Sequence, residues 1–274
     1  MSPGHPAGDP AALAYDDEGA GTPLLLLHGV GLDRRMWDRC RPALSARHRT
    51  RALDLRGHGA SPHAEPGVTL SDLAEDVLQH IGEPTGEPAH LVGFSLGALV
   101  AARAALMHPS AVASLTLVSS VARRTERQRE DVLRRLERAR TDREASAEAA
   151  VERWFTPEWR AAEPELAASV RETLLRQDPG SYLACYEVFA RADALLWPRL
   201  PLLTAPALAV TGAEDPGSTP EMTRELASAL PRARHAIVPG ARHLLPLEDP
   251  GALTAHILRL TEEVDRERAT TAAS

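Results

Sequence analysis

Two hydrophobic patterns alternate along the chain. Short apolar runs bounded by turn residues are typical of strands buried on both faces of a parallel sheet. Such runs occupy residues 23–27, 51–53, 91–92, 115–118, 207–210 and 235–238, after a short early strand within 14–18. Helical spacing of apolar residues lies between them, most clearly from Leu70 to Ile81 after a capping Thr69 or Ser71. Helices are also predicted over 36–46, after residue 97, and over 221–230 and 250–264.

This alternation of strand and helix predicts an α/β fold, with a mostly parallel central sheet and helices on both faces. It breaks after Ser120, where helix follows helix without a strand-like run. We expect a core formed by 13–120 and 197–264, an inserted helical cap at 121–196, and disordered tails at 1–12 and 265–274. The cap is dense in Arg and Glu, which indicates either a solvated helix surface or a basic lip that steers an anionic substrate.

Composition narrows the class of protein. Of 274 residues, 43% are hydrophobic, which is enough for one sizeable core. The formal net charge of −7 argues against a nucleic-acid or anionic-membrane partner. Cys40 and Cys185 lie far apart and outside any metal-ligand spacing, so we expect no disulfide framework, no metal and no cofactor. No secretory signal or membrane-spanning run is visible, which favours a cytoplasmic protein.

The strongest chemical signal is the segment Gly93-Phe94-Ser95-Leu96-Gly97, which follows an apolar run and opens a helix rich in small residues. G-x-S-x-G in a strand–turn–helix context is typical of a nucleophile elbow. The sharp turn holds the serine Oγ clear of the backbone. Side chains at the two flanking positions would collide with neighbouring backbone, and glycine has none. Ser95 is therefore the candidate nucleophile.

Two further polar residues follow strand ends, first Asp215 and then His243. Carboxyl ends of strands meet at one edge of an open α/β sheet, so we expect both residues near Ser95. A serine hydroxyl needs a base, an imidazole can take and return the proton, and a carboxylate holds the imidazole tautomer. The N–H groups of Leu96 and Val30 are predicted to form the oxyanion hole.

Other polar residues fit these roles less well. His28 and His58 lie in glycine loops, where a structural hydrogen bond is the commoner role. His235 falls inside a predicted strand, Glu214 lies one residue before Asp215, and Asp249 comes after His243, in the wrong order.

The chain resembles the α/β-hydrolase family from about residue 14 to 260, and within it the 3-oxoadipate enol-lactonases. The stretches that carry the resemblance are 26–38 (LLHGVGLDRRMWD), 54–59 (DLRGHG), 152–157 (ERWFTP), 178–190 and 217–222 (GSTPEM). Three features depart from that pattern: Ala98 replaces a second glycine after the elbow, Cys185 is followed by Tyr186 in place of a second cysteine, and the segment after Ser120 is Arg-rich.

The resemblance implies a serine hydrolase that cleaves a small ester or lactone through an acyl-Ser95 intermediate, with a 3-oxo dicarboxylic enol-lactone as the closest substrate. We expect His28, Gly29 and Trp154 to contact that substrate. Its free carboxylate calls for an arginine, and the candidates are Arg123, Arg124, Arg153 and Arg191. Two alternatives remain: an esterase, lactonase or carbon–carbon bond hydrolase of secondary metabolism, or a ligand-binding protein on a hydrolase scaffold.

Overall fold

A computed structural model describes residues 12–81 and 86–272. Seven strands form one sheet in the order β1-β3-β2-β4-β5-β6-β7, in which β1 is antiparallel to β3 and all other neighbours are parallel. The strands are β1 (Tyr15–Glu18), β2 (Pro23–Leu27), β3 (Arg49–Leu53), β4 (Ala89–Phe94), β5 (Val112–Val118), β6 (Ala207–Gly212) and β7 (Ala233–Val238). The predicted mostly parallel sheet is confirmed.

Burial along the strands explains their continuous apolar runs. Every residue of β2, β4, β5 and β6 is buried, because helices cover both faces of the sheet. The edge strand β7 is partly exposed along most of its length. Register pairs Phe94 with Val118, Val118 with Val210 and Gly212 with Val238, so the carboxyl ends of β4 to β7 lie at one edge. The loops that leave this edge carry Ser95, Asp215 and His243.

The helices surround this sheet. They are α1 (Arg41–Ser45), α2 (Leu70–Leu78), α3 (Leu96–Met107), α4 (Glu126–Thr141), α5 (Arg143–Trp154), α6 (Pro157–Ala162), α7 (Pro164–Arg176), α8 (Pro179–Leu196), α9 (Pro220–Ala229), α10 (Leu245–Glu248) and α11 (Pro250–Ala272). Short 3-10 segments occupy Arg34–Trp37, Pro109–Ala111 and Trp197–Leu202. None of the helices in the described ranges is long and apolar enough to cross a membrane.

Local chemistry sets where several helices begin. Thr69, one of the two expected caps, forms a reciprocal capping box with Asp72 at the start of α2. The single helix expected over 36–46 is wrong: a 3-10 segment ends at Trp37 and α1 begins at Arg41. Pro42 explains the break, because proline removes an intrahelical hydrogen bond and clashes with the preceding turn, but is tolerated in the first turn of a new helix.

Five helices, α4 to α8, follow one another between β5 and β6, where the sequence predicts the inserted cap. On α4, Val132, Leu136 and Ala139 are buried, while much of the opposite surface is charged and exposed. Arg134 and Arg140 on that surface pair with acids three or four residues away. This part of the cap surface therefore fits the solvated-face interpretation.

The carboxyl-terminal segment differs from expectation. The sequence predicts a disordered tail from residue 265, but α11 continues to Ala272. Packing explains the extension: Val264 is buried, and the carboxylate of Asp265 lies 3.1 Å from Nε2 of His90 in β4. Of the tail expected at residues 1–12, all but Ala12 lies outside the described residues.

Candidate active site

Ser95 sits on a strained turn between β4 and α3. Its backbone angles are φ 52° and ψ −109°, a region that non-glycine residues rarely adopt. A Cβ at Gly93 would lie 2.2 Å from the Gly97 carbonyl oxygen, and a Cβ at Gly97 would lie 2.3 Å from that of Leu27. The steric reason predicted for both glycines is confirmed. The turn is held by the Ser95 N–H, which donates to Val118 O at 2.9 Å.

The side chains of Asp215 and His243 form a buried pair. His243 Nδ1 lies 2.7 Å from Asp215 Oδ2, and the hydroxyl of Thr211 lies 3.2 Å from the same oxygen. The other carboxylate oxygen accepts the N–H groups of Gly217 and Ser218 at 2.8 and 2.9 Å. These contacts fix the carboxylate, which in turn holds the proton on Nδ1 and leaves Nε2 as the basic nitrogen.

Ser95, Asp215 and His243 line one cavity of about 170 Å³. The rest of its lining comes mainly from the inserted helices and carries aromatic and cationic side chains: Arg124, Arg135, Arg138, Arg153, Trp154, Tyr182, Tyr186 and Phe189. The three side chains that the sequence places at separate strand ends therefore meet in one pocket.

The loop after β2 contributes Val30 to the same cavity. Two bonds shape this loop: the Leu32 N–H donates to Gly29 O at 3.2 Å, and the Gly31 N–H donates to Nε2 of His58 at 2.9 Å. Leu96 begins α3 directly after Ser95, and the first N–H groups of a helix have no intrahelical acceptor. An oxyanion hole formed by Val30 and Leu96 remains a prediction that this arrangement favours.

His28 uses both ring nitrogens within the fold, so its expected contact with substrate stays a prediction that this geometry does not favour. The ring is fully buried, Nδ1 lies 2.7 Å from Gly29 O, and Nε2 accepts the Leu55 N–H at 2.9 Å. Burial lowers the pKa of His28 to about 4. Burial also lowers the pKa of His58 to about 3, and the neighbouring His28 charge acts in the same direction. Both imidazoles are therefore neutral, and their hydrogen bonds hold the glycine loops together.

Gly29 lies against the elbow. A Cβ there would meet the Phe94 ring at 2.7 Å and Ser95 Cβ at 3.3 Å, so only glycine allows the two loops to approach this closely. This close packing explains why position 29 is glycine without any role in ligand binding. Contact between Gly29 and substrate stays a prediction.

Trp154, at the end of α5, lies beside His243. It lines the cavity, its ring stacks on the imidazole with centroids 5.9 Å apart, and its carbonyl accepts the His243 N–H at 3.0 Å. The neighbouring Arg242 guanidinium donates to Glu152 O and Phe155 O at 3.2 and 3.0 Å. The last turn of α5 is therefore bonded directly to the loop that carries His243.

The four candidate arginines occupy different environments. Arg123 and Arg191 are exposed, and Arg191 pairs with Glu187 on its own helix. Arg124 lines the cavity but is buried in an ion pair, with its guanidinium 2.7 Å from Asp193. The guanidinium of Arg124 is therefore already engaged in an ion pair that stabilises the packing of residues 121–196.

Arg153 stands apart from the other three. It lines the cavity, its guanidinium lies 6.0 Å from the Trp154 ring, and it donates to Ala149 O at 3.2 Å. It makes no ion pair with any carboxylate of the described ranges. Burial lowers the pKa of Arg153, and the positive charge of Arg135 acts in the same direction. An anion in the cavity would offset this cost.

Sequence reasoning missed five of the aromatic and cationic lining residues: Arg135, Arg138, Tyr182, Tyr186 and Phe189. The spacing of the two arginines, three apart on a helix, puts them on one face. Nothing in the sequence showed that this face borders the pocket.

One group of side chains outside the pocket has the chemistry of a metal site. Candidate ligand atoms of His48, His90 and Asp265 lie within 4.8 Å of one another, near the amino-terminal ends of β3 and β4. These rings already bond Thr261 and Ser114, each at 2.8 Å. The cluster lies at the opposite edge of the sheet from Ser95.

Comparison with known proteins agrees with this geometry. A sequence model of the alpha/beta hydrolase family matches residues 24–257. The (E)-2-((N-methylformamido)methylene)succinate hydrolase of Acinetobacter baylyi is 29% identical over 238 residues, 86% of this chain and 89% of that protein.

Two solved structures, each 30% identical, are also similar. The enol-lactonase of Burkholderia xenovorans aligns with a TM-score of 0.84, over 91% of this chain and 96% of that one. A malate-bound esterase of Thermogutta terrifontis aligns with a TM-score of 0.82, over 92% and 93%. With the sheet order and the elbow already described, these matches show that the chain is a hydrolase and belongs to the alpha/beta hydrolase family.

Proposed function

We propose that this protein hydrolyses a small, negatively charged carboxylic ester or lactone through an acyl-serine intermediate on Ser95. One observation carries the proposal: the pair of Asp215 and His243 shares a pocket with Ser95 and with Arg153, a half-buried cation that has no carboxylate partner in the described chain. In this proposal residues 13–120 and 197–264 form the core, and 121–196 form the cap.

The reaction follows from the roles of these groups. His243 Nε2 takes the Ser95 Oγ proton as the oxygen attacks the substrate carbonyl. The tetrahedral oxyanion is stabilised by the N–H groups of Leu96 and Val30. The carbon–oxygen bond then breaks, and the imidazolium returns its proton to the departing alkoxide or enolate. Water, deprotonated by His243, then attacks the acyl-serine. The carbon–oxygen bond to Ser95 breaks, the imidazolium returns its proton to Ser95 Oγ, and the carboxylic acid is released. Asp215 stabilises the imidazolium in both halves.

Arg153 gives the pocket its preference for charge. A guanidinium in a water-poor cavity binds a carboxylate through charge-assisted hydrogen bonds, and Trp154 packs beside it. Two of the similar proteins bear on this: one acts on a succinate derivative and the structure of another holds malate. Among known substrates, an enol-lactone of 3-oxoadipate type fits best. Cytoplasmic location and activity without a cofactor stay predictions.

Labelling with a fluorophosphonate probe tests the nucleophile. We expect the wild type to be labelled and Ser95→Ala to remain unlabelled. The matched control is Ser120→Ala, a buried serine that follows β5 without an elbow, and it should label normally. An unlabelled wild type would support the ligand-binding alternative, and labelling of Ser95→Ala would exclude Ser95 as nucleophile.

Substrate charge is tested separately. One charge-assisted contact contributes about 1.5–3 kcal/mol, so kcat/KM for a carboxylate-bearing enol-lactone should exceed that of its methyl ester by roughly tenfold to hundredfold. Arg153→Gln should abolish the difference while the methyl ester rate is little changed. Equal rates for the two substrates in the wild type would refute the anionic substrate and favour a neutral ester of secondary metabolism.

A further inference from the structure

Arg135 and Arg138 lie on α4 at the border of the cavity. Val132, Leu136 and Ala139 turn the apolar stripe of α4 inward. The two arginines lie beside this stripe, one turn apart, and both line the cavity. Arg135 is half-buried and Arg138 is exposed, so the pair runs from the interior of the pocket to its rim.

Two surface arginines of the same helix pair with nearby acids: Arg134 with Glu130 and Asp131, and Arg140 with Glu137. Arg127 and Arg129, in the first turn of α4, are exposed and do not line the cavity. Arg135 and Arg138, like Arg153 on the facing helix α5, form no ion pair with a carboxylate anywhere in 12–81 or 86–272.

These unpaired cations affect one another. The charge of Arg135 acts to lower the pKa of both Arg153 and Arg124, so the guanidinium groups sense each other across the pocket. The carboxylate that lines the cavity, Asp215, is already bonded to His243, and Arg124 is neutralised by Asp193. Three positive charges therefore face a small cavity whose one carboxylate, Asp215, forms no ion pair with any of them. The charge of Asp215 favours the charged form of Arg153, but a single negative charge does not balance three cations, so the pocket still favours an entering anion.

We infer that Arg135 and Arg138, with Arg153, form a second anion subsite, and that the substrate carries two acidic groups besides the bond that is cleaved. This inference rests on the proposed function for its reaction but not for its charge argument. One carboxylate lies against Arg153 near Ser95, and the other extends toward the rim, between Arg135 and Arg138. The substrate class is a small ester or lactone with two free carboxylates, one more than an enol-lactone of 3-oxoadipate type carries.

Binding to Ser95→Ala tests the inference without any turnover. Titration calorimetry at low salt compares succinate, which has two carboxylates, with butyrate, which has one and a similar length. Each further charge-assisted contact is worth about tenfold or more in affinity, so succinate should bind at least about tenfold tighter. Added salt should reduce this advantage.

Variants on α4 locate the effect. In Ser95→Ala, the added changes Arg135→Gln and Arg138→Gln should reduce succinate affinity to that of butyrate, whereas Arg134→Gln and Arg140→Gln should leave the difference intact. Arg138→Gln alone, at an exposed position that forms no ion pair in the described ranges, should remove part of the difference.

The two proposals can fail separately. Equal affinity for succinate and butyrate, or equal losses in the α4 variants and their controls, would overturn the second subsite while fluorophosphonate labelling of Ser95 still stands. Selective succinate binding by a protein that labels on no serine would keep the subsite and remove the hydrolytic proposal.

Discussion

Asp215→Asn separates the chemical role of this side chain from its structural role. The substitution keeps the shape, so Oδ1 continues to accept the N–H groups of Gly217 and Ser218. At the other end of the side chain, Oδ2 is replaced by an NH₂ group, which is a donor. This group lies 2.7 Å from His243 Nδ1, which donates to Oδ2 in the wild type. Two donors cannot share a hydrogen bond, so the imidazole has to present a lone pair at Nδ1.

The change at Nδ1 alters the protonation of Nε2, on the other side of the imidazole ring. With Nδ1 as acceptor, Nε2 carries the proton and can no longer take one from Ser95. The corresponding exchange in serine proteases lowers kcat by about 10⁴-fold, which is about 5.5 kcal/mol of barrier. Stability should change by less than about 1 kcal/mol, because the Thr211 hydroxyl can accept from the new NH₂ group.

Hydrolysis of an activated aryl ester under single-turnover conditions measures the acylation step directly, and urea unfolding measures stability in parallel. Glu214→Gln, at the exposed acid next to Asp215, is the matched control and should keep wild-type rates. Retention of more than roughly a hundredth of the acylation rate by Asp215→Asn would show that the carboxylate does not set the tautomer. A fall in rate that only matched the loss of folded protein would also show that the carboxylate does not set the tautomer.

Three other expectations concern stability. Arg124→Met leaves the buried carboxylate of Asp193 without its partner and should lower the free energy of unfolding in urea by about 3–5 kcal/mol. The double variant Arg124→Met with Asp193→Leu should recover most of that loss. No recovery would contradict the buried ion pair. The pKa of His28 is about 4 in the folded state and near 6.5 in the unfolded state. The free energy of unfolding that the neutral ring contributes is therefore complete above pH 6.5 and falls by about 3 kcal/mol toward pH 4. An unchanged urea midpoint from pH 7 to about 4.5 would contradict the lowered pKa. Gly97→Ala should sharply reduce the yield of folded, probe-reactive protein, since its Cβ would meet backbone at 2.3 Å, and normal labelling would exclude that clash.

The features that could be predicted from sequence depend on local rules. The elbow around Ser95 follows from steric exclusion at two glycines. The meeting of Asp215 with His243 follows from the rule that parallel strands end at a common edge, which needs only strand positions and their order. The cap of α2 at Thr69 is likewise a matter of a few adjacent residues.

The rest depends on contacts distant in sequence. The family resemblance predicts that His28 contacts substrate, but its Nε2 already accepts the N–H of Leu55, 27 residues away. Arg124 and Arg153 are alike in sequence, and only the packing of α8 against α4 brings Asp193 to one of them. The extension of α11 likewise depends on His90 of β4.

The last turn of α5 serves two parts of the molecule at once, since Trp154 shapes the pocket while its carbonyl and ring hold His243. A cap that lifted as one rigid lid would drag the imidazole with it. We therefore expect substrate to enter past α4, where Arg138 stands exposed at the rim. We therefore expect that substitutions on α4 can change substrate preference without affecting proton transfer by His243. Replacement of all the inserted helices would also remove the contacts of Trp154 that hold His243 in place.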